Sequence, residues 1–97
     1  MTISKSQDGS NYKLEVEGRV DTLTAPELEK EIQALQDPES LLLDFSKVEY
    51  ISSAGLRVLL SAHKTLSKKG GLTISNVSEP VLEVFEVTGF KEILTIK

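Results

Sequence analysis

Leu41-Leu42-Leu43-Asp44-Phe45-Ser46-Lys47-Val48-Glu49-Tyr50-Ile51-Ser52-Ser53-Ala54-Gly55-Leu56-Arg57-Val58-Leu59-Leu60 decides the reading of this chain. Its opening, Ser40 to Phe45, is a nearly continuous apolar run, the composition of a central strand covered on both faces. An apolar helix follows from about Ala54 to Ser67 and stops at Gly70-Gly71, a strong C-terminal signal. Leu56, Leu59, Leu60 and Leu66 share one face of that helix, while Val58 and Ala62 extend its apolar surface. Between strand and helix stand Ser52 and Ser53. A helix N-terminus has unpaired N–H groups and the positive end of the dipole, so a phosphate added to a hydroxyl there is tolerated or stabilised. Both serines are therefore candidate switch residues; the competing reading makes one of them simply the N-cap, worth on the order of 1 kcal/mol. Gly55 in the first turn costs up to about 1 kcal/mol against alanine, which points to close approach by another backbone or a partner.

Working outward, Thr2 to Ser6 and Asn11 to Glu17 read as strands joined by Gln7-Asp8-Gly9-Ser10, since Asp-Gly suits a hairpin turn. Tyr12, Leu14 and Val16 alternate with Lys13, Glu15 and Glu17, giving one buried and one wet face. Gly18 to Thr22 reads as a connector. Thr24 and Glu27 have capping-box spacing, Leu23 and Leu28 have hydrophobic-staple spacing, and Pro26 falls in the first turn of a helix. Leu28, Ile32 and Leu35 line its inner face, and Asp37-Pro38 is expected to end it near Gln36. Leu72 to Ser75 forms a further strand. A third helix starts at Ser78-Glu79-Pro80, packs Val81, Leu82 and Phe85 inward and ends at Gly89, leaving a short strand or tail at about Ile93 to Ile96. The order ββαβαβα predicts an α/β fold with a hairpin followed by β–α–β crossovers. The serine pair then lies beyond the carboxyl end of a central strand, where open α/β sheets place functional loops.

The composition narrows the class. The 97 residues suit a single domain, 1–97, with one core. Without cysteine there is no disulfide, thiolate nucleophile or zinc–thiolate site. The N-terminal Met1 to Asp8 lacks a signal-peptide core, and no apolar run approaches the roughly 20 residues that span a bilayer. A soluble cytoplasmic protein with no membrane association is expected. Net charge is −4, and Met1 to Glu49 hold 11 of the 15 acidic residues but only 5 of the 11 basic ones, so nucleic acid is not an expected partner. The one basic doublet, Lys68-Lys69, sits where it complements a helix dipole.

Catalysis finds no support. His63 is the only histidine, and ten residues along the helix of Ser53 places it about 15 Å away, out of reach as a base. No calcium-loop spacing, Gly-x-x-x-x-Gly-Lys loop or Gly-x-Gly-x-x-Gly fingerprint is present, so neither a metal nor a cofactor is expected. Asp44 lacks the acidic pair that accompanies a phosphoacceptor aspartate in receiver domains; it is expected to end its strand and to accept hydrogen bonds from the Ser46-Lys47 turn. Asp21 is either a functional acid or simply solvated.

Asp44 to Leu56 resembles the signature of STAS domains, specifically the small stand-alone bacterial anti-sigma-factor antagonists, and Gly18 to Leu28 is similar to their Gly-x-x-Asp…Ala-x-x-Leu segment. The resemblance covers essentially the whole chain. It implies a STAS-type fold with a mixed sheet and packed helices. It also implies a non-enzymatic partner switch. In the family a serine at the position of Ser53 is phosphorylated by an anti-sigma factor that is also a serine kinase. The unphosphorylated antagonist binds that kinase and frees a sigma factor, and a serine phosphatase restores the hydroxyl. The resemblance assigns Asp21, Ser52, Ser53, Ala54, Gly55 and Leu56 to partner binding, with ATP belonging to the kinase and the antagonist monomeric when free. Ser52 stands where the family pattern has an acid, which leaves it as the alternative acceptor. A STAS scaffold in a sensory or transport-associated complex is the competing function.

Overall fold

The computed structural model describes all 97 residues. Strands β1 (Thr2–Asp8), β2 (Asn11–Val20), β3 (Ser40–Ile51), β4 (Gly71–Ser75) and β5 (Thr95–Ile96) form one sheet in the order β1-β2-β3-β4-β5. Helices α1 (Ala25–Gln33), α2 (Ser53–Leu66) and α3 (Glu79–Thr88) follow β2, β3 and β4 in turn. Only the β1–β2 pair is antiparallel; β2, β3, β4 and β5 run parallel. The predicted α/β order is therefore observed, with the final strand reduced to two residues after a 3-10 turn at Phe90–Glu92.

The hairpin is tighter than predicted. Asp8 pairs with Asn11, so the loop is Gly9-Ser10 alone, and Gly9 supplies the positive φ of 64° at its first position. Leu14, Leu43 and Ile74 on three neighbouring strands are fully buried and share one cluster with Leu28 of α1, Leu59 of α2 and Phe85 of α3. The helices thus cover one face of the sheet. The other face stays open, with Lys13, Leu42, Asp44 and Thr73 only half-buried and Glu15 exposed. The expectation that β3 is covered on both faces is corrected accordingly: its first half alternates strictly between buried and half-buried positions.

Two further corrections concern the length of β2 and β3. Gly18 to Val20 is not a connector but the last part of β2, and β3 does not end at Asp44 but runs on to Ile51. The pairing slips twice, between Glu15 and Glu17 and between Gly18 and Arg19, each time leaving an extra residue on β3. Each such bulge shifts the in-out alternation by one residue. Phe45, Val48 and Ile51 consequently face the core at a spacing of three, which no strand template would recognise. The Asp44 carboxylate accepts the Ser46 amide at 3.0 Å within the first bulge, bracing the irregularity instead of ending the strand. β4 has already stopped at Ser75, and Ser78 at the start of α3 donates its hydroxyl to the Val48 carbonyl at 3.2 Å, covering part of the edge that β4 leaves.

The first turn of α2 packs directly on the end of β2. The Ser52 amide donates to the Val20 carbonyl at 2.8 Å, and a Cβ on Gly55 would lie 2.7 Å from both Val20 Cγ1 and Ile51 Cγ1. The close approach expected at Gly55 is thus made by the chain itself. Gly55→Ala is expected to lower stability by about 1 kcal/mol, because overpacking at about 2 kcal/mol, the middle of its roughly 1–3 kcal/mol range, exceeds the ~1 kcal/mol gained in helix propensity. A denaturant midpoint equal to or above wild type would show that the neighbouring side chains yield freely.

Candidate functional site

β2 and β3 end side by side, with Val20 paired to Ile51, so the connections after them leave the same end of the sheet. At the start of α2, Ser52 is the N-cap, with extended φ −98° and ψ 176° and its Oγ accepting the Gly55 amide at 3.4 Å. It is half-buried. Ser53, the first helical residue, is exposed and outside that capping bond. The two hydroxyls are therefore unequal: one is committed to the helix end, the other is free at the surface. No acidic residue in the first turn competes for the positive end of the dipole. Ala54 is half-buried, whereas Gly55 and Leu56 are buried and shape the backbone beneath the surface.

On the neighbouring strand end, the loop Asp21 to Thr24 is closed by its own hydrogen bonds. The Leu23 and Thr24 amides donate to Asp21 Oδ1 at 3.0 and 3.1 Å. Thr24 Oγ1 accepts the Asp21 amide at 2.9 Å and donates to the Arg19 carbonyl at 2.7 Å. This overturns the predicted capping box, since Thr24 has helical dihedrals and its side chain makes no cap to α1. The hydrophobic staple is also absent: Leu28 is fully buried while Leu23 is 89% exposed. The physical reason is that the Asp21 carboxylate takes the Thr24 amide, which the Glu27 carboxylate would accept in a capping box, while the Thr24 hydroxyl turns back toward β2 and the Glu27 amide bonds the Thr24 carbonyl at 3.0 Å. The helix itself is shorter than expected, ending at Gln33, with Leu35 buried beyond it.

Sequence reading missed Arg19 and Tyr50. The shifted register pairs them, placing the Arg19 guanidinium 4.4 Å from the Tyr50 ring centroid, and Arg19 Nε also lies 3.7 Å from Asp21 Oδ2. Nothing local signals this pair, because it depends on two bulges. Asp44 and Ser46 lie outside this cluster, on the open face, where Asp44 Oδ1 also accepts Asn76 Nδ2 at 3.3 Å. His63 is half-buried farther along the uninterrupted α2. No group of three or more His, Cys, Asp or Glu side chains is placed to hold a metal, and no helix is long and apolar enough to cross a membrane.

The Thr24 amide, followed by the Leu23 amide and Thr24 hydroxyl, holds the Asp21 carboxyl below the usual carboxylate range, against partial desolvation that pushes the other way. A folded-state value below the unfolded one, near about 3.9, gives a stabilisation that is present above that pH and lost as pH falls through the lower folded value. Asp21→Asn is thus expected to be less stable than wild type at neutral pH, with the gap closing as the solution is acidified below about pH 4. Melts across this range check it; a gap independent of pH would show that the carboxylate charge does not hold the loop.

A family model described as "Mlab, STAS domain" matches residues 3–95. The anti-sigma-B factor antagonist of Listeria monocytogenes is 31% identical over 96 residues, spanning 96% of this chain and 84% of that protein. That of Bacillus subtilis is 30% identical over 98 residues, spanning 99% of this chain and 90% of that protein. The crystal structure of an anti-sigma factor antagonist from Mycobacterium paratuberculosis superposes with a TM-score of 0.88 at 27% identity, covering 98% of this chain and 83% of that one. Together with the five-stranded mixed sheet and its three helices, the family match over residues 3–95 establishes that the chain belongs to the STAS-domain family.

Proposed function

We propose that this chain is an anti-sigma factor antagonist switched by phosphorylation of Ser53. Unphosphorylated, it binds an anti-sigma factor that is also a serine kinase and so releases a sigma factor; a serine phosphatase resets it. The observation that carries this reading is the inequality of the two serines. Ser53 is exposed at the first position of α2, while Ser52 is half-buried and occupied as the N-cap. The relatives named as anti-sigma-B factor antagonists, aligned along 96% and 99% of this chain, support the same partner class. The docking surface comprises the end of β2 with Asp21 and the start of α2 with Ser52, Ser53 and Ala54, over the buried Gly55 and Leu56. The chain works in the cytoplasm as a monomer when free, and is a binding protein for which ATP belongs to the partner.

The physics of the switch follows from where the phosphate goes. It adds about −1.5 to −2 charge at pH 7 beside favourable N–H groups and a helix dipole, so the domain should stay folded. The cost falls on the complex, where that charge is desolvated against a surface that had accepted a neutral hydroxyl, with the Asp21 carboxylate on the neighbouring strand end opposing it. Incubation with the purified kinase and ATP, followed by peptide mass spectrometry, should find the phosphate on Ser53. Modification of Ser52 alone would overturn the assignment. Ser53→Asp should keep the melting temperature of wild type yet weaken kinase binding about tenfold or more, and Ser53→Ala should bind without being modified. Equal affinity of the phosphorylated and unphosphorylated chains would leave a scaffold in a larger complex as the better reading.

A further inference from the structure

Leu23 is the most exposed large hydrophobic side chain, at 89%, yet the loop that carries it is held in place. Single exposed leucines are ordinary. This one differs in how it is presented. Its own amide and that of Thr24 are bound to the Asp21 carboxylate, the Thr24 hydroxyl ties the loop to both Arg19 and Asp21, and the Ala25 amide donates to the Asp21 carbonyl at 2.8 Å. Leu28, the residue Leu23 would cover in a staple, is already fully buried by other neighbours. The side chain is thus kept outward on a braced backbone, which lowers the ordering cost of inserting it into a partner.

Its place in the fold says which partner. The loop leaves β2 at Val20, paired with Ile51 of β3, two residues before Ser53. Neighbouring strands lie about 4.8 Å apart, whereas a standard interface of about 800 Å² per partner reaches roughly 16 Å from its centre. A protein that brings a phosphoryl donor to the Ser53 hydroxyl therefore covers this loop as well. Tyr50, 40% exposed under the Arg19 guanidinium, adds the residue types in which binding energy concentrates.

We propose that Leu23 is the apolar anchor of the docking surface, seated in an apolar socket of the kinase that modifies Ser53, and that Asp21, at the border of that surface, contributes to affinity as a positioning residue by holding the loop that aims Leu23. This rests on the partner-switch reading above and adds to it the residue that supplies affinity.

The test uses the serine-kinase anti-sigma factors of the source bacterium, purified individually, against wild type, Leu23→Ser, Leu23→Met, Asp21→Asn and the Leu23→Ser/Asp21→Asn double variant. Val87→Ser, which alters an 81% exposed apolar residue on α3, is the control. Leu23→Ser is expected to keep the wild-type melting temperature, weaken Kd about tenfold or more, and raise KM for Ser53 phosphorylation with kcat preserved. Leu23→Met should restore most of the affinity, and Val87→Ser should match wild type. In the double variant the Asp21→Asn loss should disappear into the Leu23→Ser loss. Wild-type Kd and KM for Leu23→Ser, with Ser53 still phosphorylated, would remove the anchor and leave the partner switch standing. Losses that add in the double variant would remove the positioning role of Asp21. If none of the kinases binds or modifies wild type, the partner switch and the anchor fall together.

Discussion

The first turn of α2 touches the end of β2 through a glycine, and most of what is distinctive in this molecule depends on that contact. With no Cβ at Gly55, the helix settles against Val20 and Ile51, and the Ser52 amide reaches the Val20 carbonyl at 2.8 Å. Any larger residue would push the helix start away from the sheet. Held there, Ser52 becomes the cap and Ser53 stands at the surface, beside the loop that follows β2. The pairing of Val20 with Ile51 thus decides which hydroxyl is free and which loop is its neighbour.

Elements defined by short-range chemistry could be read directly from the residues. Alternation of Tyr12, Leu14 and Val16 marked β2, and Gly89, with φ of 81°, closed α3, whereas α2 ends at Leu66 with Ser67 as its cap, ahead of the Gly70-Gly71 pair that leads into β4. The second half of β3 could not be read in this way. Its strand character comes from backbone pairing with a distant segment, and two bulges replace the period of two by Phe45, Val48 and Ile51 at a spacing of three. The polar Ser46, Lys47 and Glu49 then look like a turn, and Asp44, which braces the first bulge, looks like its start.

The candidate site divides along the same line. Two serines ahead of an apolar helix are a local signal, and so is the glycine after them. The conformation of the loop after β2 is a competition between equally local devices: Thr24 and Glu27 have the spacing to cap α1, but Asp21, as near in sequence to the Thr24 amide as Glu27 is, takes that amide together with the Leu23 amide. That outcome turns Leu23 outward and leaves the staple unmade. Arg19 over Tyr50 is the least legible contact, since it exists only because the register slips between Gly18 and Arg19.

A domain braced in this way has little freedom to convert a surface charge into a change of fold. The switch proposed for Ser53 is accordingly one of surface chemistry on a rigid scaffold, in which the phosphate would be felt by the partner and hardly at all by the core. Amide hydrogen exchange of the domain before and after stoichiometric phosphorylation of Ser53 tests this most directly. Differences confined to residues 20–24 and 50–56, with unchanged protection of the other buried strand and helix amides, are the expected result. Loss of protection spreading into β3 before Tyr50 and into α2 beyond Leu56 would show that phosphorylation acts by loosening the fold, and would contradict the rigid-scaffold switch.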